Sequence, residues 1–189
     1  HVIGKLTDAG YRVAVIRTRS LDDVATALEY LGDLTGHVAR ARELAKDFRD
    51  GIAARRAKFA GSAPIRVFYQ ISMRPLYTVN ADHYISELIG LCGGQNVFRD
   101  LLDLAPMIAV EAVIERDPEV LLAGDTGQTD IFDEWQRWPN LAANRYSNRF
   151  LLPATELGRP TPRLLVAADA MCAALDEARD NRGNGGQEK

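Results

Sequence analysis

Hydrophobic and polar positions alternate with different periods along this chain, and the changes of period divide it into segments. Val2 to Ala9 has a helical pattern, and Arg12 to Ile16 is a short run of mainly apolar residues typical of a buried strand. Ser20 precedes a second helical pattern, and Asp23 completes an approximate capping box. Residues 1–36 are therefore predicted as helix, strand and helix. A lone strand cannot form a sheet, so this segment is expected to be the remnant of an N-terminal α/β lobe.

Residues 37–60 have the pattern of one long helix. Its apolar stripe consists of Val38, Ala41, Leu44, Ala45, Phe48 and Ile52. The many arginines of this segment alternate with acidic residues, which favours the solvated face of a helix over a nucleic-acid-binding patch.

Residues 61–180 alternate between predicted strands and helices, which indicates an α/β lobe with a mainly parallel sheet. The predicted strands are Ile65–Ile71, Val120–Ala123 and Phe150–Leu152. The predicted helices are His83–Leu91 (capped by Asp82), Val110–Arg116, Phe132–Trp138 and a final one from Pro162 to about Arg179. Residues 181–189 are polar and rich in glycine, and we expect a disordered tail there.

Composition narrows the class of protein further. The chain has 189 residues and a formal net charge of -3, and this mild acidity argues against a nucleic-acid partner. Its apolar runs fall short of the roughly 18 to 20 residues that a membrane helix needs, so direct membrane insertion is not expected. The sequence starts without Met and without a secretion signal, and we expect it to be a trimmed piece of a longer protein.

The sequence offers no convincing catalytic or metal centre. Phosphate loops, dinucleotide fingerprints and nucleophile elbows are absent, and the three histidines are scattered. Asp82 and His83 are better explained as the start of a helix than as an acid–base pair. Cys92 and Cys172 are either two buried thiols or one disulfide.

Two loops instead have the character of a binding site. Met73, Arg74 and Tyr77 follow the first strand of the α/β lobe, and Arg159 follows its last strand. Ligands of parallel α/β sheets bind beyond the carboxyl ends of the strands, so both loops are expected to face one cleft. Tyr77 suits a flat ligand and the arginines suit carboxylates or amides, although surface salt bridges are an equal alternative for each arginine.

Three stretches resemble the helical-backbone periplasmic binding proteins of ABC importers. They are Tyr77–Phe98 with its Cys-Gly-Gly-Gln-Asn-Val-Phe ending, Ala109–Leu122 with Asp117-Pro118-Glu119-Val120, and the Arg159-Pro160-Thr161-Pro162-Arg163 loop. The last loop is similar to the cobalamin-binding branch in particular. The resemblance implies two Rossmann-like lobes joined by a long helix. Here it implies one complete C-terminal lobe over 61–180, the helix over 37–60, and a remnant of the first lobe.

The resemblance also implies residue roles. Tyr77 stands where the cobalamin-binding branch places an aromatic ring against the corrin, and Arg159 where it places a polar contact to the ligand's edge. Glu111 stands where the family has a surface glutamate that docks into arginines of the membrane permease. Cys92 and Cys172 match two positions that form a disulfide, which favours that pairing over free thiols.

The implied protein is not an enzyme, has no cofactor, and captures cobalamin or another corrinoid in the periplasm for an ABC permease. A signal peptide or a lipid anchor is expected for such a protein. Two positions differ from the cobalamin-binding branch, since its tryptophan aligns with Ala105 and its acidic contact with Thr155. Heme, cobinamide or a ferric siderophore therefore remain alternative ligands. Trp135 and Trp138 are expected to pack between helix and sheet. The alternative is that they contact the ligand and so compensate for the residues that differ from the cobalamin-binding branch.

Two competing hypotheses belong to other classes. One is an enzyme or metal-cluster scaffold with similar lobes, which requires acid–base residues that converge in the cleft. The other is a non-binding fragment whose remnant of the first lobe drives self-association.

Overall fold

A computed structural model describes residues 2–128 and 130–184. Its helices are α1 (Val2–Asp8), α2 (Leu21–Thr35), α3 (Val38–Phe59), α4 (Tyr84–Leu91), α5 (Val110–Arg116), α6 (Ala142–Arg145), α7 (Ala154–Leu157) and α8 (Leu164–Asn184), with a 3-10 helix at Asp133–Arg137. Its strands are β1 (Ile65–Gln70), β2 (Ser72–Met73), β3 (Leu76–Tyr77), β4 (Gly94–Asn96), β5 (Val120–Asp125) and β6 (Arg149–Pro153).

The N-terminal segment contains helices, but the strand predicted at Arg12–Ile16 is wrong. Residues 11–19 have no regular secondary structure, and Val15 and Ile16 are 49% and 41% exposed. A strand needs a neighbour for its backbone N–H and C=O groups, and no described residue pairs with this run.

Helices α2 and α3 are both present, as their patterns predict, and the structure packs them as an antiparallel hairpin. The Ser20 hydroxyl accepts from the Asp23 amide, and the Asp23 carboxylate accepts from the Ser20 amide, which completes the predicted capping box. Gly36 ends α2 with φ of 74°, a left-handed conformation that glycine adopts without strain. On the predicted solvated face of α3, the exposed side chains of Arg40 and Glu43 pair at 2.6 Å. Arg49 also binds Glu29 of α2 at 2.6 Å, a contact between the two helices.

Four parallel strands form the central sheet in the order β4-β1-β5-β6. Along β1, Val67 and Tyr69 face the side covered by α2, α3, α4 and α8, whereas Phe68 faces the side covered by Val113 and Trp135. Both faces are buried, which explains why the strands appear as continuous apolar runs in the sequence.

Several local predictions need correction. His83, not Asp82, caps α4, and Phe132–Trp138 contains a short 3-10 helix. Gly94 lies in strand β4, where a Cβ would be 2.8 Å from the side chains of Ile89 and Leu175. Only glycine permits this close approach. In the sequence Gly94 follows Gly93, and two adjacent glycines predict a turn, so the strand was not predicted.

Helix α8 packs across the sheet and is fixed by the disulfide Cys92–Cys172, as the resemblance implied. The bond joins the end of α4 to the middle of α8 across 80 residues. The helix continues to Asn184, which is past the predicted end at Arg179. Residues 185–189 of the predicted disordered tail lie outside the described residues.

We predict that replacing both Cys92 and Cys172 by Ala lowers the free energy of unfolding by about 2 to 4 kcal/mol, because the bond restricts a long loop in the unfolded chain. Urea denaturation followed by circular dichroism measures the change. The unmodified protein unfolded in excess reductant is the control and should match the double variant. Equal unfolding midpoints for the oxidised protein and the variant would contradict this expectation.

Candidate ligand-binding cleft

The carboxyl ends of β1, β5 and β6 lie at one edge of the sheet, and the loops after β1 and β5 surround an open pocket there. Met73 and Arg74 line this pocket, whereas Tyr77 and Arg159 lie outside its lining. The pocket measures about 460 Å³ and is lined by the loop after β1, by Thr126 and Gln128, and by the segment leading into the 3-10 helix. A cleft at the carboxyl edge of parallel strands is the usual ligand position in such sheets.

Gln70, the last residue of β1, connects this edge to the 3-10 helix. Its buried side chain donates to the Ile131 carbonyl at 3.0 Å and accepts from the indole N–H of Trp135 at 2.6 Å. Trp135 is fully buried and lies 5.6 Å from the Phe68 ring, so the packing role expected for it is confirmed. Trp138 lies 5.7 Å from Trp135 and belongs to the same layer.

The hairpin β2–β3 has an inner and an outer face. Leu76 is buried in the cluster around Phe68, and its partner Met73 packs against that cluster. Tyr77 pairs with Ser72, and residues directly opposite in an antiparallel pair share one face. Alternation along the strand therefore turns Tyr77 away from the core, whereas the Met73 side chain lies against it.

Arg74 stands at the tip of the hairpin, where its side chain is 83% exposed and binds Glu134 at 3.0 Å. Glu134 also binds Arg137 at 2.7 Å, and the hydrogen bonds from Arg137 and then Arg74 hold the pKa of this carboxyl below its ordinary value. The surface salt bridge considered for Arg74 is thus present. It is exposed to solvent, so an anionic ligand group is able to compete for the guanidinium.

Arg159 lies beyond the carboxyl end of β6, the edge strand of the sheet. It follows α7, whose last residue, Leu157, accepts a hydrogen bond of 2.9 Å at its carbonyl from the Tyr84 hydroxyl. The Arg159 side chain is exposed, and within the described residues no carboxylate forms an ion pair with it. Its neighbour Arg163 is instead paired with Glu156 at 2.5 Å.

The segment between Tyr77 and α4 is held by buried amides. Asn96 donates to the Val79 carbonyl at 2.8 Å, and Asn80 donates to the Leu101 carbonyl at 3.1 Å. At the start of α4, the His83 ring accepts from the Ile85 amide at 3.2 Å and lies 4.5 Å from the Tyr84 ring. Burial lowers the pKa of His83 below 6.5, since the charged ring is disfavoured there.

The predicted site residues thus fall into three groups. Met73, Arg74 and Tyr77 share one hairpin, and Arg159 lies on a second loop at the same edge of the sheet. Glu111 is exposed in the first turn of α5. The segment just before α5 is bonded to the hairpin, because the Ile108 amide donates to the Leu76 carbonyl at 3.0 Å. The pocket residues Gln70, Thr126 and Gln128 were missed, although Gln70 is the last but one residue of the predicted strand Ile65–Ile71 and the other two lie in the loop after the predicted strand Val120–Ala123.

Chemically, this arrangement is suited to hold a ligand. The pocket is lined by amides, hydroxyls and apolar groups, by Arg74, and by the carboxylates Asp130, Asp133 and Glu134. Within the part of the chain that the structure describes, His, Cys, Asp and Glu do not gather in groups of three or more that would hold a metal ion. No helix among residues 2–128 and 130–184 has the length and apolarity to cross a bilayer.

An α/β lobe with a ligand-sized cleft at its carboxyl edge and a long helix beside it defines a class of binding proteins. The sequence profile of the periplasmic binding protein family matches residues 5–155, and the chain belongs to that family.

Individual relatives and solved structures are also periplasmic binding proteins or vitamin B12 binders. The vitamin B12-binding protein of Vibrio parahaemolyticus is 32% identical over 179 residues, which is 94% of this chain and 65% of that protein. The crystal structure of the periplasmic vitamin B12 binding protein of Vibrio cholerae has a TM-score of 0.82 at 31% identity and matches 94% of this chain and 70% of that one. The chain thus spans about 65% of the length of the curated relatives that it matches.

A third similarity shows the fold alone. The periplasmic heme-binding protein of Roseiflexus sp. RS-1 has a TM-score of 0.80 at 23% identity and matches 93% of this chain and 71% of that one.

We predict that His83→Asn removes part of the pH dependence of stability. The pKa of His83 in the folded protein lies below its unfolded value near 6.5. The stabilisation from the neutral ring is therefore fully present above pH 6.5 and is lost as the pH falls through the folded pKa. Asparagine also accepts from the helix amide but does not titrate. Urea unfolding across acidic and neutral pH should show a smaller loss of stability on acidification in the variant, and identical losses would refute the assignment.

Proposed function

We propose that the chain belongs to the substrate-binding protein of an ABC importer, which captures cobalamin or a related corrinoid outside the cytoplasm and passes it to a membrane permease. The observation that carries the proposal is the identity of 31% to 32% with two vitamin B12 binders across 94% of the chain. The ligand is a substrate that is released unchanged, so the protein is a carrier and not an enzyme.

Side chains of the two loops at the carboxyl edge, beside the pocket and in its wall, support this ligand class. Tyr77 offers an aromatic face on the outer side of the hairpin, where a flat macrocycle is able to stack. Arg159 is exposed and Arg74 is held only by a solvent-exposed pair, so both guanidinium groups are available to the amides at the rim of a corrin. Met73, packed against the core cluster, supports the hairpin and contributes to the pocket wall.

Heme is the second candidate ligand. The fold similarity to a heme-binding protein and the two exposed arginines favour it, since heme carries two carboxylates. Cobalamin ranks first because the identity to the vitamin B12 binders is higher, at 32% against 23%.

Calorimetric titration with cyanocobalamin tests the ligand, using the whole protein in which this chain occurs. We expect a sub-micromolar Kd, which corresponds to more than about 8 kcal/mol of binding free energy. Hemin is titrated in parallel, and tighter binding of hemin would transfer the proposal to heme. The absence of heat with cobalamin at about 100 micromolar would overturn the corrinoid assignment. Light scattering on the 189-residue chain alone tests the competing hypothesis, in which the remnant of the first lobe drives self-association, and a clean monomer at high concentration would rule that hypothesis out.

We predict that Tyr77→Ala weakens cobalamin binding about tenfold or more, because a stacked aromatic face is lost. Tyr77→Phe keeps the ring and should stay close to the parent Kd. Tyr146→Ala is the matched control, because Tyr146 is also partly exposed but precedes β6 at the amino end of the sheet. Equal effects of the Tyr77→Ala and Tyr146→Ala variants would argue against a stacking role.

We further propose that Glu111 docks the protein onto its permease. The residue is exposed in the first turn of α5, and a charge at such an interface chiefly fixes register and the rate of association. Glu111→Lys should reduce the ATPase stimulation of the reconstituted permease several-fold and leave the Kd for cobalamin unchanged. Glu177→Lys is the control, because it introduces the same charge change at an exposed position of α8, which covers the opposite face of the sheet from α5. Equal stimulation by both variants would contradict the docking role.

A further inference from the structure

Met107 occupies an unusual position beside the proposed stacking residue. It forms an isolated antiparallel bridge with Tyr77, and its side chain is 66% exposed. The Thr78 amide donates to the Pro106 carbonyl at 3.2 Å, and the Ile108 amide donates to the Leu76 carbonyl at 3.0 Å. These two bonds flank the pair, so Tyr77 and Met107 form a non-hydrogen-bonded pair, in which Cα atoms are roughly 4.5 Å apart and side chains are closest.

The pairing fixes the direction of the Met107 side chain. Directly opposite residues of an antiparallel pair lie on one face, so Met107 stands next to Tyr77 on the outer side of the hairpin. Alternation along the segment agrees with this direction, since Pro106 is buried and its neighbours Ala105 and Met107 are exposed. The short side chain of Ala105 leaves the space beside Met107 open.

The segment that leads to Met107 is held in place by Asn80, which lies three residues after Tyr77. Asn80 donates to the carbonyls of Leu101 and Leu102 at 3.1 and 3.3 Å, and the Asn80 amide donates to the Leu104 carbonyl at 3.2 Å. An exposed apolar side chain on a firmly held segment gains free energy when a ligand covers it, and little ordering entropy is lost.

We infer that Met107 is a ligand-contacting residue and forms, with Tyr77, one continuous apolar platform for a flat macrocycle. This inference rests on the proposed function and adds a specificity residue to it. The thioether is unbranched and polarisable, so it adapts to the uneven edge of a substituted ring more readily than a rigid side chain does.

Oxidation of methionine tests the contact without any substitution. Hydrogen peroxide converts exposed methionine into its sulfoxide, and peptide mass spectrometry reports the rate for each residue. Met107 should oxidise readily in the free protein, and saturating cyanocobalamin should slow it several-fold. Met171 is fully buried and is the internal control, since it should stay unreactive in both states. An unchanged Met107 rate in the complex would overturn the inference.

A pair of variants supplies the affinity measurement. Met107→Gln keeps the length of the side chain but makes it polar, and it should weaken cobalamin binding about three- to tenfold. Met107→Leu keeps the apolar surface and should restore affinity to within about twofold of the parent. Thermal unfolding of both variants verifies the fold. If the unsubstituted protein binds cobalamin and Met107→Gln binds it equally well, this inference alone is overturned. If the unsubstituted protein does not bind cobalamin, the proposed function is overturned as well.

Discussion

The burial of both faces of the β1–β5 strand pair is the constraint on which the rest of the structure depends. Val67 pairs with Val120, and their side chains lie in the larger cluster with α8, whereas Phe68 and Leu121 point to the opposite cluster. A parallel pair needs cover on both sides, because each strand projects apolar residues in both directions. That requirement positions α4 and α8 on one side and the 3-10 helix and α5 on the other. It also leaves the carboxyl edge as the place where the loops converge.

The loops at that edge are held by buried amides more than by ion pairs. Gln70, Asn80 and Asn96 are almost fully buried, and each bonds to backbone groups of a neighbouring segment. A buried amide without partners is costly, so each of these side chains specifies one arrangement of the loop that it contacts. The segments that carry Tyr77 and Met107 are therefore preorganised, and a preorganised surface lowers the entropic cost of binding the ligand proposed above.

Sequence patterns were reliable wherever one short stretch contained the whole signal. The Ser20–Asp23 capping box, the long helix at Val38–Phe59 and the strands around Val67 and Val120 depend on local periodicity, and the structure has them. The patterns failed where a residue's state depends on a distant partner. Residues 12–16 have the composition of a strand but lack a neighbour among the described residues, and Gly94 forms a strand because β1 lies beside it.

For the candidate site, the sequence by itself determined which loops follow strands, and so which side chains reach the carboxyl edge. It also indicated the family, through motifs at Tyr77–Phe98 and after Ala109. Only the tertiary structure decided the direction of each side chain, because the pairing of β2 with β3 turns Met73 inward and Tyr77 outward. The bridge to Met107 was beyond sequence reasoning for the same reason: the two residues are 30 positions apart and meet through backbone hydrogen bonds that leave no periodic trace in the chain.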